Sequence, residues 1–316
     1  MVKYQEFIPH PVLQDCVKRF WIMERAYTAQ ACIEEVVPDA CVELILNFGS
    51  PYVQLGSTPR RELPKVCLVG LQRQPFLVQA NGVVKIVAVR FFAWGVLPFL
   101  KPLAEPNSTT NVELDEAWHQ VVTKVAAKVE TEKYQQAVED LEAFLIGKRL
   151  TTWLDPGQVQ TAAKRLYETK GQVRVAHLAD SCYLSVRQLQ RQFADTTGVS
   201  PKTLARTIRF ETIRNRLMFE PDANLTDLAY ECGYTDQAHF IHDFQAFANK
   251  TPGAFAQQMH KFQAMLRSNE HVVFLQSPSS MLDYTENNSP SSKGGKRDEE
   301  AHNDLRPSGE GLRRST

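Results

Sequence analysis

Long apolar runs are missing from this 316-residue chain. No stretch approaches the roughly 18 consecutive apolar residues that span a bilayer, so no membrane helix is read. The start, MVKYQEFIPHPVL, has no basic head, apolar middle and small-residue cleavage site, so the expected compartment is the cytoplasm. Paired cysteines are missing too. Cys16, Cys32, Cys41, Cys67, Cys182 and Cys232 are scattered without a CxxC spacing, which points to reduced thiols rather than a disulfide frame or zinc site. GxSxG, HExxH, GxGxxG and P-loop patterns are absent. Before the helical region only His10 and His119 occur, not clustered with Glu as a metal-dependent β-barrel enzyme requires, so neither enzyme nor cofactor is expected.

Net charge is also lacking, with 36 basic and 36 acidic side chains. That balance argues against a nucleic-acid partner until the chain is divided. Residues 1–154 carry 16 basic and 17 acidic groups, residues 155–268 carry 14 and 11, and residues 269–316 carry 6 and 8. The middle part is therefore mildly basic.

Residues 1–110 read mainly as strands, with β-rich apolar runs at CVELILNF (41–48) and FLVQANGVVKIVAVRFF (76–92). Asn81-Gly82 between apolar runs predicts a hairpin turn, because both residues tolerate positive φ. WGVLPFLKPL (94–103) reads as a short helix or helical turn. Residues 111–154 change period. Leu114, Trp118, Val121, Val122, Val125 and Val129, then Tyr134, Ala137, Val138, Leu141, Phe144 and Leu145, recur three or four apart and predict a helical hairpin. These stripes either cover the β-region or pair with a second subunit. LDPGQ (154–158) marks a boundary. Residues 155–268 read as helices with short turns. Residues 277–316, rich in Ser, Pro, Gly and charge, are expected to be disordered.

The helical region holds a near-repeat: VAHLADSCYLSVRQLQRQF (175–193) and LTDLAYECGYTDQAHFIHDF (225–244). Each has helix-turn-helix grammar. Ala179 and Ala229 allow close helix approach. Ser185, and Thr235 or Asp236, supply N-caps for the second helices. Leu189 with Phe193, and Phe240 with Phe244, face the core as i, i+4 pairs. The outward faces carry Arg187, Gln190 and Arg191, with Gln188 a further candidate, and Gln237, Ala238, His239 and His242. Arg matches guanine O6 and N7, Gln matches adenine N6 and N7, and Ala packs on a thymine methyl. A face built only for solubility would more often use Glu and Lys. Between the copies, SPKTLARTIRFETIRNRLMF (200–219) predicts a helix of ~28 Å at 1.5 Å per residue. Leu204, Ile208, Ile213 and Leu217 form its buried stripe, and Arg206, Arg209, Arg214 and Arg216 are expected to supply a basic surface. Lys202, Arg206 and Arg174 are candidate phosphate contacts. A shared metal at His239 and His242 has no third ligand pattern beside it, and no metal is expected.

LSVRQLQRQF (184–193), Ser200-Pro201-Lys202 with Arg209-Phe210-Glu211, GYTDQAHFIHDF (233–244) and Thr251-Pro252 with Phe255 occur in order. Together they resemble the DNA-binding domain of AraC/XylS-type transcriptional regulators over about residues 158–260. The resemblance implies two helices, near 185–195 and 236–248, entering successive major grooves of double-stranded DNA. The matching base-contact positions are Arg187, Gln190, Arg191, Gln237, Ala238, His239 and His242. VPDACVELILNFG (37–49) and VAVRFFAWGVLPFL (87–100) are more weakly similar to the cupin-like domain of an uncharacterised AraC-type subgroup. The expected fold is thus α+β: a β-rich cupin-like sensing or oligomerisation domain (1–110) with a helical hairpin (111–154), then an all-α tandem helix-turn-helix domain (155–268).

The partners this reading implies are DNA, a small-molecule effector, a second copy of the chain and RNA polymerase. In the β-region Asp39, Glu43 and Arg90 form the candidate effector site. A carboxylate and a guanidinium facing a barrel interior would hold a polar ligand; the alternative is a purely structural pair, or an exposed Glu43. Three departures stand out: Tyr183 where the first turn usually has Gly, Asn249 where Gly is common, and His242 where Arg is frequent. They keep open a rival reading, a sensor or protein-interaction protein whose helix-turn-helix units no longer bind DNA.

Overall fold

The computed structural model describes residues 2–56, 60–100, 109–112, 114–151 and 157–267, all within one compact unit. Of the boundary LDPGQ (154–158), residues 154–156 lie outside the described residues, as does the tail at 277–316. The first part is an antiparallel sheet. Its strands are β1 (Val2–Phe7), β2 (Val17–Val36), β3 (Cys41–Asn47), β4 (Tyr52–Leu55), β5 (Arg61–Glu62), β6 (Val66–Val69), β7 (Phe76–Phe92) and β8 (Thr109–Asn111). They run in the order β1-β2-β7-β3-β6-β8, with β4 beside the start of β7 and β5 beside β4.

The hairpin expected at Asn81-Gly82 does not form. β7 runs through both residues and pairs with β2 on either side, with Cys32 opposite Ala80 and Tyr27 opposite Gly82. The positive φ of Gly82, 89°, instead accommodates an irregularity where β2 carries extra residues. The segment 94–100 forms turns, with Gly95 N–H donating to Phe92 O and Leu100 N–H to Val96 O.

Strand alternation sorts the sheet into two faces. Val42, Leu44 and Leu46, with Phe20, Ile22, Val87, Val89 and Phe91, are buried against helices. Trp21, Met23, Tyr27, Tyr52, Ile86 and Ala88 form a separate apolar layer on the other face, with Ile45 packed against it. The predicted helical hairpin is α1 (Glu116–Glu130) and α2 (Tyr134–Thr151). Both its stripes are buried within the large cluster, so no second subunit is needed to cover them.

The helical part is α3 (Gly157–Glu168), α4 (Val175–Ser181), α5 (Val186–Thr197), α6 (Pro201–Phe219), α7 (Leu225–Glu231), α8 (Gln237–Ala248) and α9 (Pro252–Arg267). Its first half is not separated from the sheet by a break in the apolar core. One continuous buried cluster runs from Leu13 and Phe20 through Trp94, Trp118 and Leu145 to Leu178, Phe193 and Ile208. Tyr167 on α3 joins the parts. Its ring lies edge-on to Phe92 and Trp94, at 5.3 and 5.5 Å, and its hydroxyl donates to Ala40 O. Lys18 on β2 pairs with Glu211 on α6 at 3.0 Å, and Lys250 after α8 pairs with Glu35 at 2.8 Å. The second half of the helical part has its own core, including Phe210, Leu217, Phe240, Phe244, Phe247 and Met259.

Two glycines test this packing. A Cβ on Gly95 would lie 1.9 Å from Cys16 O, whereas one on Gly147, exposed on α2, would meet nothing within 4 Å. Gly95→Ala should therefore destabilise by at least about 1–3 kcal/mol through overpacking. Gly147→Ala should stabilise by about 0.5–1 kcal/mol through helix propensity. Urea midpoints of the two variants decide; equal shifts of the same sign would contradict the packing at Gly95.

Candidate nucleic-acid interface

The first helix-turn-helix is α4 and α5. Ser185 caps α5 by accepting from Gln188 N–H, and the Gln188 side chain returns to the Ser185 N–H at 3.0 Å, a full capping box. Gln188 is thus engaged in the cap. Leu189 and Phe193 are completely buried, while Arg187, Gln190 and Arg191 are exposed on the opposite face. Gly198 ends α5 in the left-handed region, with φ 75°. At the turn Tyr183 has φ 55° and is 95% exposed.

The second unit, α7 and α8, repeats the pattern. Asp236 is the N-cap of α8, accepting from His239 N–H at 2.7 Å. Gly233, with φ 76°, stands where Tyr183 stands in the first copy; Asn249, with φ 52°, closes α8 as Gly198 closes α5. Phe240, Phe244 and Phe247 are buried, and Phe244 meets Phe210 and Phe255 edge-on at 5.1 and 5.6 Å. Gln237, Ala238, His239 and His242 face outward, exposed. Among the described residues no three His, Cys, Asp or Glu side chains group as metal ligands.

The arginines of α6 do not form the basic surface expected of them. Arg206 donates from Nε and Nη2 to Asp243 Oδ1, at 3.0 and 2.7 Å, and its guanidinium lies over the Phe247 ring. Arg209 lies 3.9 Å from the other oxygen of Asp243 and over the Tyr234 ring. Arg214 is buried, and Arg216 pairs with Glu220 at 2.7 Å. Arg206 is therefore engaged internally, whereas Lys202 and Arg174 are exposed. Asp243 is the residue that sequence reasoning missed. It is 1% exposed, accepts from Tyr234 OH at 3.3 Å and lies 3.6 Å from His239 Nε2, so it ties α8 to α6 and to the preceding turn. The signal was present: position 243 falls on the buried stripe with Phe240, Phe244 and Phe247, where a carboxylate needs a cation.

Glu43 and Arg90 face each other across β3 and β7. Arg90 Nε donates to Glu43 Oε1 at 2.7 Å, and Arg90 also lies within 4.0 Å of Glu6 and Asp39. Trp21 Nε1 donates to the same Glu43 oxygen at 3.2 Å. Of the three candidate effector residues, Glu43 alone lines a cavity on this face, whose other walls are mainly apolar. Arg90, 2% exposed, is enclosed by carboxylates and does not face the cavity as a polar effector would require. Burial, and then the Glu43 carboxylate, push the Asp39 carboxyl up to about 6. Burial pushes Glu211 up as well, but Lys18 and Arg214 outweigh it and hold that carboxyl below its ordinary range.

Residues 178–258 match the family model described as "Helix-turn-helix domain", and residues 5–113 match "Domain of unknown function (DUF6597)". The chain is 36% identical over 75 residues to the HTH-type transcriptional activator RhaS of Escherichia coli (strain K12 / DH10B) and, at the same figures, of Escherichia coli O157:H7. That match covers 24% of this chain and 27% of each relative, so the chain spans about a quarter of the length of the curated relatives it matches. Among solved structures, ToxT from Vibrio cholerae is similar over 80% of this chain and 98% of its own, at 12% identity and TM-score 0.43. A probable AraC family transcriptional regulator from Rhodopseudomonas palustris is similar over 32% of this chain and 96% of its own, at 20% identity and TM-score 0.30. The C-terminal part of the chain thus matches a helix-turn-helix domain, and the part before it a domain of unknown function.

Two substitutions probe these charges. Asp243→Ala leaves Arg206 and Arg209 without their buried partner and should cost about 3–5 kcal/mol, read as a lowered urea midpoint; a loss within about 0.5 kcal/mol would show that Asp243 does not hold α8. Asp39→Asn should act with the opposite sign. The folded state holds the Asp39 proton up to about pH 6, well above where the unfolded chain releases it, so ionised Asp39 lowers stability at neutral pH. The variant, which keeps an acceptor for Cys41 N–H, should be more stable by about 1–2 kcal/mol above pH 6, with the gain vanishing below about pH 4. Unfolding curves at several pH values test this; a pH-independent difference would count against it.

Proposed function

We propose that this chain is a sequence-specific DNA-binding transcriptional regulator that acts in the cytoplasm without catalysis. Helices α5 and α8 enter successive major grooves, and α6 sets their spacing. Arg187, Gln190 and Arg191 read one block of bases; Gln237, Ala238, His239 and His242 read the other. Lys202 and Arg174 hold phosphates, which fix register without reading sequence. The sheet serves as the sensing domain for a small molecule, with a second copy of the chain and RNA polymerase as protein partners.

One observation carries the reading. Arg187, Gln190, Arg191, Gln237, His242 and Lys202 are all exposed, and none of their side chains makes a hydrogen bond or ion pair with another described residue. Arg206 and Arg209 of α6, by contrast, are engaged with buried Asp243, and Arg216 pairs with Glu220. On α5 and α8, outward polar side chains that have no internal partner and include neither Glu nor Lys suit base edges better than solvent.

The test is selection of bound duplexes from a random library by the full-length chain at two salt concentrations. Two short base blocks about one helical turn apart support the reading, with affinity falling steeply as salt rises. Absence of enrichment at either salt would overturn it. On the selected site, Gln237→Ala should cost roughly 1–3 kcal/mol and relax preference at one base pair. Unchanged affinity and preference would remove α8 from the interface.

A further inference from the structure

The cavity on the outer face of the sheet has an unusual inventory. It is an open-mouthed cavity of about 80 Å³, and its walls include Trp21, Ile45, Tyr52, Phe76 and Ile86. Its polar groups are few, and several of their donors are already engaged. Trp21 Nε1–H is given to Glu43. The Tyr52 hydroxyl is bound to Tyr27, which in turn donates to Glu34. The Asn47 amide donates to Ser50 O and its oxygen accepts from Gly49 N–H. Arg90, the nearest cation to Glu43, is enclosed by Glu6, Asp39 and Glu43 and does not line the cavity.

Glu43 Oε1 already accepts from both Trp21 and Arg90, while Oε2 has no protein partner among the described residues. The cavity therefore presents apolar walls and one unspent acceptor. We infer that it binds a small apolar molecule headed by a hydrogen-bond donor, an ammonium or a hydroxyl, and rejects the corresponding anion. A donor completes the carboxylate. A ligand carboxylate would instead bring a second negative charge against Glu43, and like charges in an apolar cavity are strongly disfavoured. The inference rests on the sensing role proposed for the sheet and names the ligand class for it.

Three probes of matched shape test it by fluorine NMR on the full-length chain without DNA: 4-fluorophenethylamine, 2-(4-fluorophenyl)ethanol and 3-(4-fluorophenyl)propanoate. Because DNA is absent, failure here is separate from failure of the DNA-binding reading. The amine and the alcohol should broaden on binding and displace each other, with the acid at least about tenfold weaker. Glu43→Gln, which keeps an acceptor but removes the charge, should weaken the amine about tenfold and change the alcohol less than about threefold. Ile45→Phe fills the cavity without touching the charges and should abolish binding of both, even if Glu43→Gln proves too unstable to use. Binding of the acid equal to the amine, absence of binding by any probe at millimolar concentration, or retention of both ligands in folded Ile45→Phe would overturn the proposal.

Discussion

The structure depends on the burial of α6. Ten of its 19 residues are buried, because it packs against the sheet side and the second helix-turn-helix at once. On one side Glu211 is held by Lys18 from β2, and Leu204 and Ile208 join the cluster that continues into the sheet domain. On the other, Phe210, Ile213 and Leu217 enter the second core, and Arg206 and Arg209 close on Asp243 of α8. Burying these charges is tolerable only because each finds its partner. The same pairing fixes the helix in rotation and in register, which a purely apolar stripe would do less sharply. The spacing of α5 and α8 follows from that fixity.

The two helix-turn-helix units are consequently unequal despite their shared grammar. The first is continuous with the sheet through Leu178, Phe193 and Tyr167. The second holds itself together around three phenylalanines of α8 and is tied to the rest by α6, Lys250 and the Gln172 side chain, which donates to Glu231 O. Local opening is governed by how much apolar contact a segment must give up. Changes in the sheet therefore have a packed route to α5, whereas α8 is reached through α6. The position matching Asp243 in the first copy is Gln192, only partly buried, so α5 has no counterpart of the buried ion cluster.

The local elements were legible where one physical rule acted alone. The caps Ser185 and Asp236, the core pairs on α5 and α8 and the stripes of α1 and α2 follow from short-range spacing and occur as expected. The failures arose where tertiary context decided. Asn81-Gly82 carries a strong turn signal, yet β2 is long enough to pair on both sides of it, so the positive φ of Gly82 is used inside a strand. The arginines of α6 look like a surface stripe until Asp243, Tyr234 and Phe247 are folded beneath them. Arg90 looked like a ligand group, but three carboxylates from β1, β3 and the segment before β3 converge on it. Convergence of distant residues has no one-dimensional signature.

The distinction that orders the whole molecule is between polar groups that the fold uses and those it leaves open. Exposure alone is a weak guide, since most surface polar groups are merely solvated. Its force comes from contrast within one small region. Arg206, Arg209 and Gln188 could each have faced outward, and each is drawn into a cap or ion cluster. Arg187, Gln190, Arg191 and Gln237, on equally well-anchored helices, are not. Tyr183 belongs with the open set on stronger grounds. Its φ of 55° costs on the order of 1 kcal/mol for a residue with a Cβ, and at 95% exposure packing offsets little of that cost. At the matching Gly233, a Cβ would approach the Gln172 side chain to 3.1 Å, so the second turn is crowded where the first is open. A strained, outward aromatic just before the N-cap of α5 thus stands beside the unspent Arg187 and Arg191, on the face of the protein where the fold keeps its donors free.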